Sequence, residues 1–241
     1  TLAVLTEVTF KVLPKSEETK TLVIHNLNIN SAPEYLGEAI SSSNEISGAT
    51  FLPVDPKCQD CEMNLEKTFK LNDLKNEGSI TAIRIEGSKK SIEKRVENLI
   101  KDLKLEKLEI SILETLQSEI FWKKIKNLEF FSNTKNNIFR IVIPPSECTK
   151  LIYELPKQFK YFLDWGGAVI WMEACKLSEQ KFNSIRKRVI NHGGYVSMIK
   201  NSDFLPYVED VFTINSARFN ISQNVKKSFD PKGILNPGKM Y

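Results

Sequence analysis

The chain has 241 residues, of which 41% are hydrophobic and 27% charged, and its formal net charge is +4. This composition excludes disordered, collagen-like and disulfide-scaffold proteins and is typical of a globular protein with a sizeable core. No apolar run approaches the roughly 20 residues of a membrane span, and so small a charge excess does not by itself indicate nucleic-acid binding.

The first half of the sequence predicts two helices among several strands. An opening strand at 2–13 starts almost at the first residue, so further sequence upstream is expected. It is followed by predicted strands at 22–29, 49–52, 80–86 and 105–110. One helix opens at Ser31, which is spaced from Glu34 as a capping box, and the other spans 89–104 with apolar residues at the helical period.

The second half repeats this order after a helical segment at about 112–127. Strands are predicted at 138–143, 159–165, 168–173 and 195–200. Pro144 and Pro145 end the first of these strands, Ser146 and Ser178 are predicted to cap helices, and Gly166 with Gly167 makes a turn. Trp165 continues the alternation of the strand before that turn and is expected in the core. A last helix at 215–229 precedes a turn-rich tail.

Two strand-helix-strand-strand-helix-strand units define the predicted fold class. We expect an α+β protein with two ferredoxin-like units, at about 18–110 and 136–203, plus a C-terminal helix and tail. Each unit places an antiparallel sheet under helices on one face. Whether the units join edge to edge or form separate modules stays open at this point.

The cysteines and histidines predict no metal site. Cys58 and Cys61 form a CxxC in a polar insertion at 54–77, without the second ligand pair that zinc usually requires. The two histidines, His25 and His192, are far apart, and each is expected to be structural. The low cysteine content suits a reducing cytosol.

Two terminal motifs carry a family resemblance. The opening TLAVLTEVTFKVLP and the ending FDPKGILNPGK resemble segments of the FAD-linked oxidases of the vanillyl-alcohol oxidase fold. Between them, SGATFLP, AIRIEGS, DWGGAVIW and NHGGYVSMI resemble the branch that oxidises glycolate. The resemblance implies that 1–14 ends a flavin-binding domain, that 15–203 is the cap domain, and that 204–241 is a flavin-facing helix and tail.

FAD is the cofactor that this resemblance implies. Val4, Thr6 and Glu7 match the strand that crosses back to the flavin, and Asn236 and Lys239 match the tail beside it. The family's pyrophosphate-binding domain and its glycine-rich loop are missing from the sequence, so most of the FAD contacts are expected elsewhere.

Substrate-binding candidates come from the residues themselves. A 2-hydroxy acid needs a cation for its carboxylate and a base for its hydroxyl proton. Arg84 and Arg140 lie mid-strand and either could bind a carboxylate, although both also fit the solvated face of a strand. Asp164 flanks the glycine turn. The catalytic base stays unassigned.

The resemblance implies the cap part of an FAD-dependent oxidoreductase for small 2-hydroxy acids. It also implies partners, namely a second flavin subunit and an iron-sulfur subunit of one complex. Such a protein is expected in the cytoplasm, with peripheral attachment to the inner membrane through the complex left open. Two other classes remain: a non-catalytic binding or scaffold module, and a tandem RNA-binding module. The second lacks the aromatic strand motif that RNA recognition needs.

Overall fold

A computed structural model describes residues 2–12, 14–53, 78–202 and 216–237. Cys58, Cys61 and Lys239 lie outside these ranges. Within them, the polypeptide forms one antiparallel sheet of eight strands with six helices. The predicted α+β class and the two repeated units are confirmed.

The first unit has the predicted order of elements. Its strands and helices are β1 Glu18–His25, α1 Ala32–Ser41, β2 Ile46–Leu52, β3 Ile80–Gly87, α2 Lys89–Asp102 and β4 Ile110–Leu113. The strand predicted at 105–110 is wrong, since the strand lies at Ile110–Leu113. Lys104, at a φ of 53°, instead precedes a 3-10 helix at Leu105–Lys107. Ser31 makes no side-chain cap. Asn28 instead accepts hydrogen bonds from the backbone N–H groups of Asn30 and Ser31.

The second unit repeats this topology. Helix α3 Thr115–Lys126 connects the two units, and the second unit contains β5 Asn137–Val142, α4 Pro145–Glu154, β6 Lys160–Asp164, β7 Val169–Ala174, α5 Glu179–Asn191 and β8 Tyr195–Lys200. As predicted, Ser178 caps α5, since its hydroxyl accepts from the Lys181 N–H. The prediction that Ser146 caps α4 is wrong, because the helix already begins at Pro145 and has no side-chain cap. Helix α6 Ser216–Phe229 follows.

The two units join edge to edge. The strand order is β4-β1-β3-β2-β6-β7-β5-β8, so β2 and β6 meet at the middle of the sheet. Their registered pair is Phe51 with Leu163, and the Thr50 hydroxyl adds a hydrogen bond of 2.6 Å to the Leu163 carbonyl. Because the two strands are antiparallel and Phe51 pairs with Leu163, β6 ends opposite the later part of β2. The start of β2 therefore has no β6 partner.

Apolar residues are buried on both faces of the sheet. One core contains the inward residues of α1, α2, α4 and α5, in agreement with the predicted placement of helices on one face. A second, smaller core lies on the opposite face and contains Phe121, Trp122 and Ile125 of α3. Strand alternation explains the division, since Leu22 and Ile24 enter the first core while Val23 enters the second. Helix α3 therefore covers part of a face that would otherwise be open.

The N-terminal segment is not a strand. Residues 2–12 have no regular secondary structure, and Val4 and Phe10 are 73% and 77% exposed. The prediction of a strand at 2–13 is wrong for the chain as described, because a strand requires ladder hydrogen bonds to a neighbour and no described strand pairs with this segment.

His192 joins α4 to α5 and is structural, as expected. Its Nδ1 lies 2.8 Å from Glu147 Oε2 and its Nε2 lies 3.0 Å from Glu154 Oε1. Hydrogen bonds to Glu147 and Glu154 raise the pKa of His192, and its position at the C-terminus of α5 also favours positive charge.

We expect a pH-dependent contribution to stability from this contact. The pKa of His192 in the folded protein is raised above its usual value of about 6.5. Its contribution to the free energy of unfolding is therefore complete below about pH 6.5 and is lost as the pH rises through the folded-state pKa. His192→Gln should lower Tm by about 1–3 °C at pH 6 and less at pH 9. Thermal unfolding of both proteins across this range is the measurement. An equal Tm difference at the two pH values would contradict the prediction.

Candidate functional site

A cavity of about 910 Å³ lies between α3 and the sheet. The cavity lies beside the start of β2, which does not pair with β6. Strand β6 ends at Asp164, and the chain leaves the sheet there. The polar lining residues of the cavity include Ser47 on β2, Arg84 and Glu86 on β3, and Asp164. Two of the three predicted substrate residues are thus brought into one cavity.

Arg84 is held in place by several groups. Its Nη2 donates to the Ser47 carbonyl at 2.8 Å and its Nε donates to the Ser47 hydroxyl at 3.0 Å. Its Nε also lies 3.4 Å from a Glu86 carboxylate oxygen. The guanidinium carbon lies 4.9 Å from the ring centroid of Trp122, within cation–π range. A fixed guanidinium loses little side-chain entropy when it binds an anion.

Trp122 is positioned by polar contacts and by a close approach to the backbone. Its indole N–H donates to the Thr21 hydroxyl at 2.8 Å, and that hydroxyl pairs with Ser118 at 2.6 Å. A Cβ at Gly48 would lie 2.9 Å from Trp122, so no side chain fits at this position. The register of β2 shifts between Ile46 and Gly48, which turns Ser47 toward Arg84.

Asp164 is a partly buried acid on the same sheet face as Arg84. Burial raises the pKa of its carboxyl group, while the Trp165 N–H, the Trp171 side chain, Arg140 and Arg84 act in the opposite direction. A carboxylate with a raised pKa beside a cavity is suited to accept a proton.

Trp165 is not in the core, contrary to the prediction. Its side chain is 73% exposed and lines the cavity at the end of β6. The strand alternation stops because Trp165, Gly166 and Gly167 have φ values of 52°, 64° and 91°. A Cβ at Gly166 would lie 2.3 Å from Ile40 Cδ1. The glycine turn packs against α1 and leaves Trp165 outside.

The other predicted site residues lie elsewhere. Arg140 is over the ring of Trp171, with its guanidinium carbon 5.9 Å from the centroid, and is not among the lining residues. Val4, Thr6 and Glu7 are exposed in the N-terminal segment, and Asn236 is exposed in the tail. These four do not line the cavity.

The tail after α6 is organised by Asp230. Its carboxylate accepts hydrogen bonds from the Ile234 and Leu235 N–H groups at 3.1 and 2.9 Å and pairs with Lys226 at 2.6 Å. The pKa of Asp230 is lowered, first by the Lys226 hydrogen bond and then by the Leu235 N–H. Lys226 also donates to the Leu235 carbonyl. This turn explains the aspartate of the FDPKGILNPGK motif and places Asn236 at a φ of 50°.

We expect Asp230→Ala to loosen the tail without unfolding the protein. Amide hydrogen exchange at Ile234 and Leu235 should accelerate at least about tenfold, because both N–H groups lose their acceptor. Since no residue of α6 is buried, Tm should change by no more than about 2 °C. Lys232→Ala, at an exposed position of the same turn, is the matched control. Unchanged exchange in the aspartate variant would refute this role.

The sequence-based reasoning missed Ser47, Glu86 and Trp122. A usable signal was present for Glu86, whereas Gly48 signalled only that some group approaches β2 closely. Glu86 lies two residues after Arg84 and therefore on the same strand face, and Gly48 inside a strand marks a close approach of another group. The partner at Gly48 was not deducible, because α3 is distant in sequence.

The described residues offer neither a metal site nor a membrane-spanning helix. They contain no cluster of three or more His, Cys, Asp or Glu side chains that could hold a metal ion. None of the helices in those ranges is long and apolar enough to cross a membrane. Cys148 and Cys175, both described, are buried and are not disulfide-bonded.

Comparison with known proteins gives three kinds of match. The family model "FAD linked oxidases, C-terminal domain" matches residues 173–240. Glycolate oxidase subunit GlcE of Escherichia coli (strain K12) is 30% identical over 125 residues, which are 50% of this chain and 31% of GlcE. The chain therefore spans about a third of the length of this curated relative.

Two solved structures share the fold. The 4-ethylphenol oxidase from Gulosibacter chungangensis aligns with a TM-score of 0.56 and 14% identity, over 95% of this chain and 54% of the oxidase. An alkyldihydroxyacetonephosphate synthase aligns with a TM-score of 0.52 and 11% identity, over 93% of this chain and 45% of the synthase. At such identities these alignments establish the fold and not the substrate.

The matches define the class of protein. Residues 173–240 match the C-terminal domain of the FAD-linked oxidases, and the chain as a whole is similar to proteins of that family. The resemblance to the glycolate-oxidising branch is confirmed by the homology to GlcE.

Proposed function

We propose that this chain is the cap part of an FAD-dependent oxidoreductase that converts a 2-hydroxy acid to the 2-oxo acid. The observation that carries the proposal is Arg84, a guanidinium fixed by Ser47, Glu86 and Trp122 at the wall of a cavity large enough for a substrate. A carboxylate in this cavity would form charge-assisted hydrogen bonds with Arg84.

Asp164 is the proposed acceptor of the hydroxyl proton. It lines the same cavity and its pKa is raised by burial, so it matches a base more closely than an exposed aspartate does. When the substrate is oxidised, the C2 hydrogen leaves as a hydride, the hydroxyl proton passes to Asp164, and the C–O single bond becomes a carbonyl. When bound, FAD supplies the acceptor for the hydride.

The described residues fit a contributory role in holding FAD. Residues 2–12 present an exposed backbone without strand partners, and the Asp230 turn presents Asn236 at the surface. Val4, Thr6, Glu7 and Asn236 would then contact the flavin, as would Lys239, whose placement is not described. The sequence contains no glycine-rich phosphate loop, so the pyrophosphate would be bound by another domain or chain.

We propose that the enzyme works in a complex like the one that the name of GlcE implies. The partners would be other glycolate oxidase subunits, a second flavin subunit and an iron-sulfur subunit, with attachment to the inner membrane through them. Support for this comes from the homology to a protein named as a subunit. The domain boundaries at 1–14, 15–203 and 204–241 belong to the same proposal.

The test uses the native assembly. A tagged copy of the chain is purified from its own cells together with whatever it binds, and the visible flavin spectrum is recorded without oxygen. Addition of a 2-hydroxy acid should bleach the flavin, and Arg84→Gln should slow the bleaching strongly. A preparation that contains flavin but is bleached by no 2-hydroxy acid would overturn the proposal. An assembly without flavin would favour a scaffold role instead.

A further inference from the structure

We propose that the cavity selects a 2-hydroxy acid with a large apolar or aromatic side chain, and that Trp165 is the residue that selects it. The inference rests on the proposed function, because Arg84 is taken as the anchor of the carboxylate. It concerns the part of the cavity that the carboxylate and the hydroxyl group would leave empty.

Cavity size is the first argument. Glycolate has about five non-hydrogen atoms and, at about 30 Å³ each as in liquid water, occupies on the order of 150 Å³. The cavity measures about 910 Å³, within the range of about 300–1,000 Å³ typical of sites for much larger ligands. A two-carbon acid held by Arg84 would fill only a small part of this volume.

The lining of the remaining space is the second argument. Besides its polar groups, the cavity is lined by Ile40, Ile46 and Ile125 and by the two indoles of Trp122 and Trp165. Ile40 packs against the Gly166 turn, so Ile40 and Trp165 form one apolar rim. Such a rim stabilises an apolar substituent by removing it from water and gives nothing to glycolate.

The backbone around Trp165 holds its indole outside the core. Three successive residues have positive φ, and the Trp165 N–H is bound to Asp164 Oδ1 at 2.9 Å. A tryptophan in the left-handed region is uncommon and costs free energy. The result is a 73% exposed indole next to the proposed proton acceptor. A ligand ring stacked on this indole would cover it.

The experiment measures binding to the full chain by isothermal titration calorimetry. The probes are 3-phenyllactate, glycolate and 2-phenylethanol, which lacks the carboxylate. We expect 3-phenyllactate to bind at least about tenfold more tightly than either of the others. Trp165→Ala should weaken 3-phenyllactate about tenfold and glycolate less than about threefold. Tyr153→Ala is the matched control, since Tyr153 is a 62% exposed aromatic residue outside the cavity.

The outcomes separate this inference from the proposed function. If both acids bind equally and both lose affinity in Arg84→Gln, the selection by Trp165 is overturned while the carboxylate site stands. If 3-phenyllactate binds more tightly but Trp165→Ala changes nothing, another residue selects it and the inference fails. If neither acid shows binding that depends on Arg84, the site proposed above is wrong and the inference fails with it.

Discussion

Arg84→Gln should raise the KM of the assembled enzyme for its 2-hydroxy acid by about 10–100-fold, because the substrate carboxylate loses a charged partner worth about 1.5–3 kcal/mol. The effect should fall mainly on KM if Arg84 binds substrate and transition state equally. Steady-state kinetics with an artificial electron acceptor is the measurement.

Two further variants make this result specific. Arg84→Lys should recover part of the affinity, since it keeps the charge but loses the paired donors that reach Ser47. Arg186→Gln is the matched control, because Arg186 also lies over an aromatic ring, with its guanidinium carbon 5.1 Å from the Phe182 centroid, but on the other face of the sheet. A KM that is unchanged in Arg84→Gln, or equally raised in Arg186→Gln, would remove Arg84 from the substrate site.

Phe162→Ala should destabilise the fold by about 3–5 kcal/mol, the usual cost of emptying a buried phenylalanine site. Phe162 is fully buried on β6, beside the junction of the two units. Its ring lies 5.4, 5.8 and 6.5 Å from the rings of Phe130, Phe131 and Trp171. The small core on this face would lose its central residue. Tm should drop by about 10 °C or more, measured by calorimetry.

The conservative variant separates packing from other causes. Phe162→Leu keeps most of the apolar volume and should cost clearly less than the alanine variant. Phe219→Ala on α6 is the control, because this phenylalanine is 39% exposed. A Phe162→Ala protein within about 1 kcal/mol of the wild type would show that the second core contributes little to stability.

Local patterns predicted most elements because they depend on near neighbours. The helix at 89–104, the hairpin around Gly166 and the Ser178 cap were predicted from period, turn residues and capping chemistry, and the structure has all three. The predictions of local structure were wrong where a competing side chain or a distant part of the chain determined the conformation. Ser31 makes no side-chain cap because Asn28 organises the turn before α1, and residues 2–12 found no strand partner among the described residues.

The candidate site shows the same division. Arg84 and Asp164 were singled out as charged residues beside strand and turn signals, and both line the cavity. Arg140 was singled out by the same reasoning and lies over Trp171 instead. The alternation of residues in a strand predicts on which face of the sheet a side chain lies. It does not predict which other element packs on that face.

By itself, the sequence determined the class of fold, the doubled unit and the resemblance to the FAD-linked oxidases, because periodicity and motifs are properties of short stretches of chain. Only the tertiary structure decided how the units join, that α3 covers the second face, and that Trp122 orients Arg84. It also placed Trp165 outside the core, since three positive φ values turn the chain before the strand alternation can continue. These outcomes depend on contacts between residues far apart in the chain, which no local pattern encodes.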